Sequence, residues 1–333
     1  MTLPPAPERL LGPDGSVAAF GMWSGALKDV DLADARVKGR PGVLGRFRLK
    51  RWQHVAVVHP DAALTFAIVD AGFLRIGWVQ GIDRKTGEVF EHHFQSPFLD
   101  VQLSRSLWDE RCVLNTGRGT IEIHNDLDHG RHGVRIELEA HRDLPAVQAE
   151  LEIPATSTSL VVNLPVGRGR SMYSHKVVHP AEGSFRFGER AYTCSLADTG
   201  AIFDVHKAHY PRKTWWNWAT FVGRSGDRVV GLNLTKNVVT DPAMHENAVW
   251  VDGELSLLGP ARFSLPADGP WTMGTEDGSV ELAFEPEGAR GENIRAVVVE
   301  SVFAQKYGRF SGRIGDIVLD EAWGLVEDHH STW

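Results

Sequence analysis

The chain has 333 residues, enough for one large or two ordinary domains with a sizeable core. Its 42% hydrophobic and 23% charged residues describe a globular protein, and a net charge of -8 offers a polyanion no attraction, so nucleic acid is not an expected partner. There is no basic-then-apolar leader and no window near the ~18–20 apolar residues of a membrane span. The only cysteines, Cys112 and Cys194, stand in no metal or redox spacing. Two reduced thiols and a cytoplasmic location are therefore the expectation.

In chain order, the first candidate element is DLADARVKGR from Asp31, which fits a short helix or an extended loop. Beyond it strands dominate: HVAVVHP, ALTFAIVD, GFLRIGWVQGID, GTIEIHND and HGVRIELEAH, punctuated throughout by the chain's 34 glycines and 17 prolines. Short apolar runs at this spacing predict an all-β sandwich or barrel. HNDLDHGRH gathers His124, Asp126, Asp128, His129 and His132. It lies between two alternating strands and holds the residues a hairpin loop needs, so a turn is expected there and no metal site. From Leu151 to Pro165 the composition shifts to Ser, Thr and Pro, which divides the chain into β-rich halves, 1–155 and 156–333.

The second half holds the candidate chemistry. In SMYSHKVVHP, the neighbours His175 and Lys176 could hold an anionic head group. In AIFDVHKA, alternation sends Asp204 and His206 to one face and Lys207 to the other. Apolar surroundings would raise the Asp204 pKa and make it an acid with His206 as its relay. HYPRKTWWNWATF follows, with Tyr210, Arg212, Trp215, Trp216, Asn217 and Trp218. Each indole buries roughly 150–250 Å² and needs a partner for its N–H, so the cluster implies a core wall or a ligand wall. Trp216 and Trp218 share one face and are expected to line a pocket; Trp215 and Asn217 share the other. Asn233 in NLTKN, and Glu246 and Trp250 in MHENAVWVDGEL, complete the set, Glu246 being a second carboxylate that could face Asp204.

Nucleotide loops and the GxSxG elbow are absent, and no metal or other cofactor is expected. HKVV, the Asp204 segment, YPRKTWWNWA, GLNLT, ENAVWVDG, KYGRFSG and GLVEDHHSTW together resemble domain-of-unknown-function family 2804 from the amino-terminal third to the last residue. That family is similar in expected architecture to the lipocalin-like hydroxyneurosporene synthase and fungal decalin-forming pericyclases. The resemblance implies two calycin-like antiparallel β-barrels or sheets packed together, with few short helices and a hydrophobic pocket near their interface.

On this reading the partner is a hydrophobic small molecule, and the chemistry is a cofactor-free hydration, dehydration, isomerisation or cyclisation. Asp204, His206 and Glu246 would be catalytic. The tryptophans would form an apolar, cation-stabilising wall, and Arg212, Lys207 and His175 would hold a polar head. A non-catalytic lipid carrier and a sugar-active β protein are the alternatives, and the oligomeric state is left open.

Overall fold

The computed structural model describes residues 3–36, 48–167, 169–296 and 299–332, and gives only the backbone of 292–296 and 299–301. Among the described residues the regular structure is strand, apart from one 3-10 turn at Leu127–His129. The strands form three antiparallel sheets.

The first sheet has eight strands, in the spatial order Gly21–Ser24, Leu160–Pro165, Ser171–Pro180, Gly200–Ala208, Lys50–His59, Ala62–Asp70, Arg75–Asp83 and Val89–Ser96. The second has seven, from Asp100–Gln102 at one edge to Arg190–Cys194 at the other. The third begins at Lys213–Ser225 and ends with Glu321–Thr332, which lies between Lys213–Ser225 and Val299–Ile314.

The first sheet is the middle layer. Val55, Val57, Phe66, Val177 and Phe203 on one of its faces pack against Ile121, Ile136 and Leu151 of the second sheet. Ala56, Val58, Val178 and Ile202 on its other face pack against Trp218, Val222 and Trp323 of the third. The third sheet also curls on itself, bringing Phe221 and Leu232 against Trp271, Leu282 and Phe310. Glycines permit the curl, because Gly308 and Gly324 stand opposite each other and a Cβ would come within 2.1 Å of the Glu285 carbonyl or 2.0 Å of that of Thr220. Pro286 and Gly288 bulge the adjoining strand, which sharpens the bend.

The sheets divide the chain at 209–212, not at 155/156. Strands from both sides of the expected boundary pair with one another in the first two sheets. The Ser/Thr-rich stretch at 155–159 is a loop carrying the chain from Val147–Pro154 in the second sheet to Leu160–Pro165 in the first. It is a change of sheet, and its composition is that of any such crossing. No helix forms at 31–36, where the chain turns; 37–40, the rest of that candidate, lies outside the described residues. HNDLDHGRH is a hairpin connection, closed by Gly130 at a φ of 69°.

Candidate active site

Strand register builds the site from residues far apart in sequence. Across five strands of the first sheet, Lys176, Asp204, His54, Ala67 and Trp78 are directly opposed in turn. The next rung on the same face is His206, Trp52, Val69 and Ile76. The third sheet answers with Thr235, Trp218, Glu327, Gln305 and Arg290 in one row, and Asn237, Trp216, His329 and Phe303 in the next. All of these side chains line one cavity of about 200 Å³ between the two sheets. Period-two alternation is the cause, since each strand sends the intervening residues to its other face.

Lys176 is the charged centre. Its Nζ lies 2.7 Å from Asp204 Oδ1 and 3.7 Å from Glu246 Oε2, and 4.7 Å from the centroid of the Trp218 ring. The Trp52 indole N–H donates to Asp204 Oδ2 at 3.0 Å, and Asn237 donates to Glu246 Oε1 at 3.2 Å. Asn233 braces the group from behind, accepting the Trp218 indole N–H at 2.7 Å and donating to the Glu246 carbonyl at 2.6 Å. Beside this pole His206 stacks on Trp52 with centroids 4.1 Å apart, and its Nε2 is 2.7 Å from the Tyr210 hydroxyl. Trp216 stacks on His329 at 3.8 Å.

Burial acts on three carboxyls here with different outcomes. For Asp204 it pushes the pKa up, but Lys176 and the Trp52 N–H more than offset it, so the group is held below the ordinary value. The expectation that apolar surroundings raise Asp204 is thereby corrected, because a lysine 2.7 Å away is a product of strand pairing, which is not visible in the sequence. Glu246 is raised by burial, with the nearby Asp204 charge adding to it and Lys176 opposing. Glu327 is pushed up to about 8, chiefly by burial, against the pull of a hydrogen bond with Trp216. The imidazoles are neutral at pH 7, since burial pulls His54 down to about 4 and His206 to about 3. Burial also lifts Tyr210 well above 10, so its hydroxyl stays protonated.

The structure brings Asp204, His206, Glu246, Lys176, Tyr210, Trp216 and Trp218 together on the cavity, with Asn233 behind them. It separates the others. His175 is buried on the opposite face of its strand, near His132. Lys207 also points to that side and donates to the Ser104 carbonyl at 2.6 Å. Arg212 is exposed, and Trp215 and Asn217 face away from the cavity, Asn217 donating to Asp328 at 2.8 Å. Trp250 is buried elsewhere in the same interface, its indole N–H on the Thr158 carbonyl at 2.7 Å. Alternation explains both outcomes: adjacent residues such as His175 and Lys176 cannot serve one pocket from one strand.

Sequence reasoning missed Trp52, His54, Trp78, Arg290, Gln305, Glu327 and His329. Trp52 and His54 alternate in KRWQHVAVVH, and Glu327 and His329 alternate in GLVEDHHST, so a signal existed in polar and aromatic residues spaced by two inside apolar strands. Among the described residues, Asp109, His124 and Asp126 bring possible ligand atoms within 4.8 Å of one another. They are already engaged, His124 with Asp109 at 3.1 Å and Asp126 with His129 and Arg131.

Curved antiparallel sheets facing each other across a cavity define a lipocalin-like β protein. More narrowly, residues 4–333 match the family described as Domain of unknown function (DUF2804), and the chain belongs to it. No curated protein matches the sequence. Among solved structures, CghA aligns with a TM-score of 0.58 at 11% identity, over 99% of this chain and 97% of that one. CghA with Sch210972 gives 0.56 at 10% identity, over 97% of each chain. Kievitone hydratase from Nectria haematococca gives 0.52 at 12% identity, over 96% of this chain and 97% of that one. At identities this low the alignments establish a common fold and nothing more. Among the described residues no helix is long and apolar enough to cross a membrane.

Proposed function

We propose that this protein binds a small, mainly apolar molecule in the cavity and catalyses proton transfer on it, using its own side chains as acid and base. The carrying observation is a pair of unlike carboxyls in one enclosure: Asp204 held ionised by Lys176, and Glu327 pushed up to about 8. Environments that drive two titratable groups apart are how one site supplies both an acid and a base at neutral pH. Glu327 is the proton donor in this reading. The Asp204–Lys176 pair and Glu246 fix the polar end, and the Tyr210–His206 pair relays or steadies the proton. Trp52, Trp216 and Trp218 exclude water and offer π faces to a developing cation.

Hydration, dehydration, isomerisation or cyclisation all fit this equipment. The name of one structural neighbour, a hydratase, supports the first two. A sugar-cleaving reading asks for two carboxyls facing each other across a glycosidic bond, whereas here Lys176 stands between Asp204 and Glu246.

The test is to incubate the protein with a pool of small apolar metabolites in deuterated water and compare the wild type with Glu327→Gln by mass spectrometry. Wild type is expected to yield products changed by gain or loss of water, or isomers carrying deuterium, and the variant to be slower by about 100-fold or more. A ligand that binds and returns unchanged would make the protein a carrier.

A further inference from the structure

The cavity wall contains more hydrogen-bonding capacity than the protein itself uses. Both ring nitrogens of His54, Nδ1 of His206 and Oε1 of Gln305 are buried, and none of these atoms meets a hydrogen-bond partner among the described residues. The three side chains are 4%, 3% and 2% exposed, and all line the cavity. Neutral His54 presents one N–H and one acceptor nitrogen. The Tyr210–His206 pair presents one free donor in either tautomer. If the hydroxyl donates to Nε2, Nδ1–H is free; if Nε2–H donates to the phenol oxygen, the phenolic O–H is free. Gln305 adds a carbonyl acceptor. His54 sits at the Lys176 end, directly opposite Asp204 in register and edge-on against Trp218 at 5.6 Å, whereas Gln305 stands further along the cavity, between Glu327 and Arg290. Beyond His54 and Trp52 the same sheet continues with Ala67, Val69 and Ile76, an apolar stretch of the cavity wall, and then with Trp78, whose ring carries the Arg290 guanidinium at 4.2 Å.

A pure hydrocarbon would cover these donors and acceptors without replacing their hydrogen bonds, which costs affinity at each buried group. Water held there would have to leave as well, and its displacement is favourable only if the ligand reproduces its contacts. Resting on the small-molecule reading above, we infer that the substrate is an oxygenated apolar compound. It carries a hydroxyl and a second oxygen function such as a carbonyl, placed so that one meets Lys176 and His54 and the other meets Gln305. A bare isoprenoid hydrocarbon does not satisfy the site.

The test uses matched probes, indane against a hydroxyindanone, with affinity read by tryptophan fluorescence and calorimetry. The hydroxyindanone is expected to bind about tenfold or more tighter than indane. His54→Phe and, independently, Gln305→Met should each shrink that ratio while leaving indane's affinity within about twofold. Indane binding as tightly as the hydroxyindanone overturns the inference and leaves the small-molecule reading intact. Failure of both probes to bind the wild type saturably, with Ala67→Trp indistinguishable from it, counts against the reading beneath.

Discussion

The two faces of the first sheet are made by the same strands and do opposite things. Toward the second sheet, Val55, Val57, Phe66 and Phe203 interdigitate with Ile121, Ile136 and Leu151. Some polar residues on that side pair with one another, as Gln53 donates to Asn125 at 2.8 Å and Cys112 donates to Gln53 at 2.9 Å, while His132 and His175 are buried there. Toward the third sheet, the alternate residues of those strands are Trp52, His54, Lys176, Asp204 and His206, and they border a cavity. One side spends its side chains on packing, while the other keeps space around a buried ion pair. The packed core and the candidate site are thus separated by strand parity, so a one-residue shift in register would exchange the two.

The largest effect should come from the charged centre. Lys176→Met leaves Asp204 and Glu246 buried without their cation, and is expected to cost roughly 3–5 kcal/mol at pH 8. Most of that should return near pH 5, where the freed carboxyls take up protons; denaturant melts at both pH values decide it. Equal losses at the two would mean that Lys176 is only packing.

The comparison of faces is tested by one residue type on one sheet. Ile68→Ala, on the packed face and fully buried, should lose about 3 kcal/mol. Ile76→Ala, half-buried on the cavity wall, should lose about 1 kcal/mol, because fewer neighbours surround it. Similar values for the two would erase the distinction.

Glu327 sharpens the picture further. Its folded pKa of about 8 lies above its ordinary 4.5, so between these values the folded state holds a proton that the unfolded chain has lost. Stability from this group is present at low pH and falls as pH rises toward 8. Glu327→Gln should therefore gain on the order of 2 kcal/mol over wild type at pH 9 and little at pH 4. Infrared spectra should show a protonated carboxyl band that disappears near pH 8 in the wild type and is missing in the variant.

The buried histidines act in the other direction. Burial lowers His54 and His132 to about 4 and His175 and His206 to about 3, so the unfolded chain takes up protons first as pH falls below 6.5. Their contribution is intact above 6.5 and is lost between there and the folded values. Unfolding at pH 5, followed by calorimetry in buffers of different ionisation enthalpy, should show proton uptake. Release of protons would contradict it.

Strand parity is local, and the sequence carried it well. Alternation alone placed Asp204 with His206 and Trp216 with Trp218, and the spacing of glycine and proline announced an all-β chain. Pairing is long-range and was not legible. Nothing in GLVEDHHSTW says that the last strand inserts between Lys213–Ser225 and Val299–Ile314, setting Glu327 opposite Trp218 and Gln305. For the same reason the sequence does not show that Lys176, expected to face a ligand's head group, is also the counter-ion of Asp204, which its register places directly opposite. The division at 209–212 was hidden likewise, since strands 100 or more residues apart share a sheet while the composition shift marks only a crossing.

The most direct measurement is native mass spectrometry of the wild type and Ala67→Trp, each incubated with the same pool of oxygenated apolar metabolites. Ala67 lies in the cavity wall between His54 and Trp78, so an indole there fills the space without touching Lys176 or Glu327 in sequence or register. The wild type should gain the mass of one small molecule and Ala67→Trp, still folded, should not. Bare wild-type mass throughout, or equal uptake by both proteins, would contradict a ligand site in the cavity around Lys176.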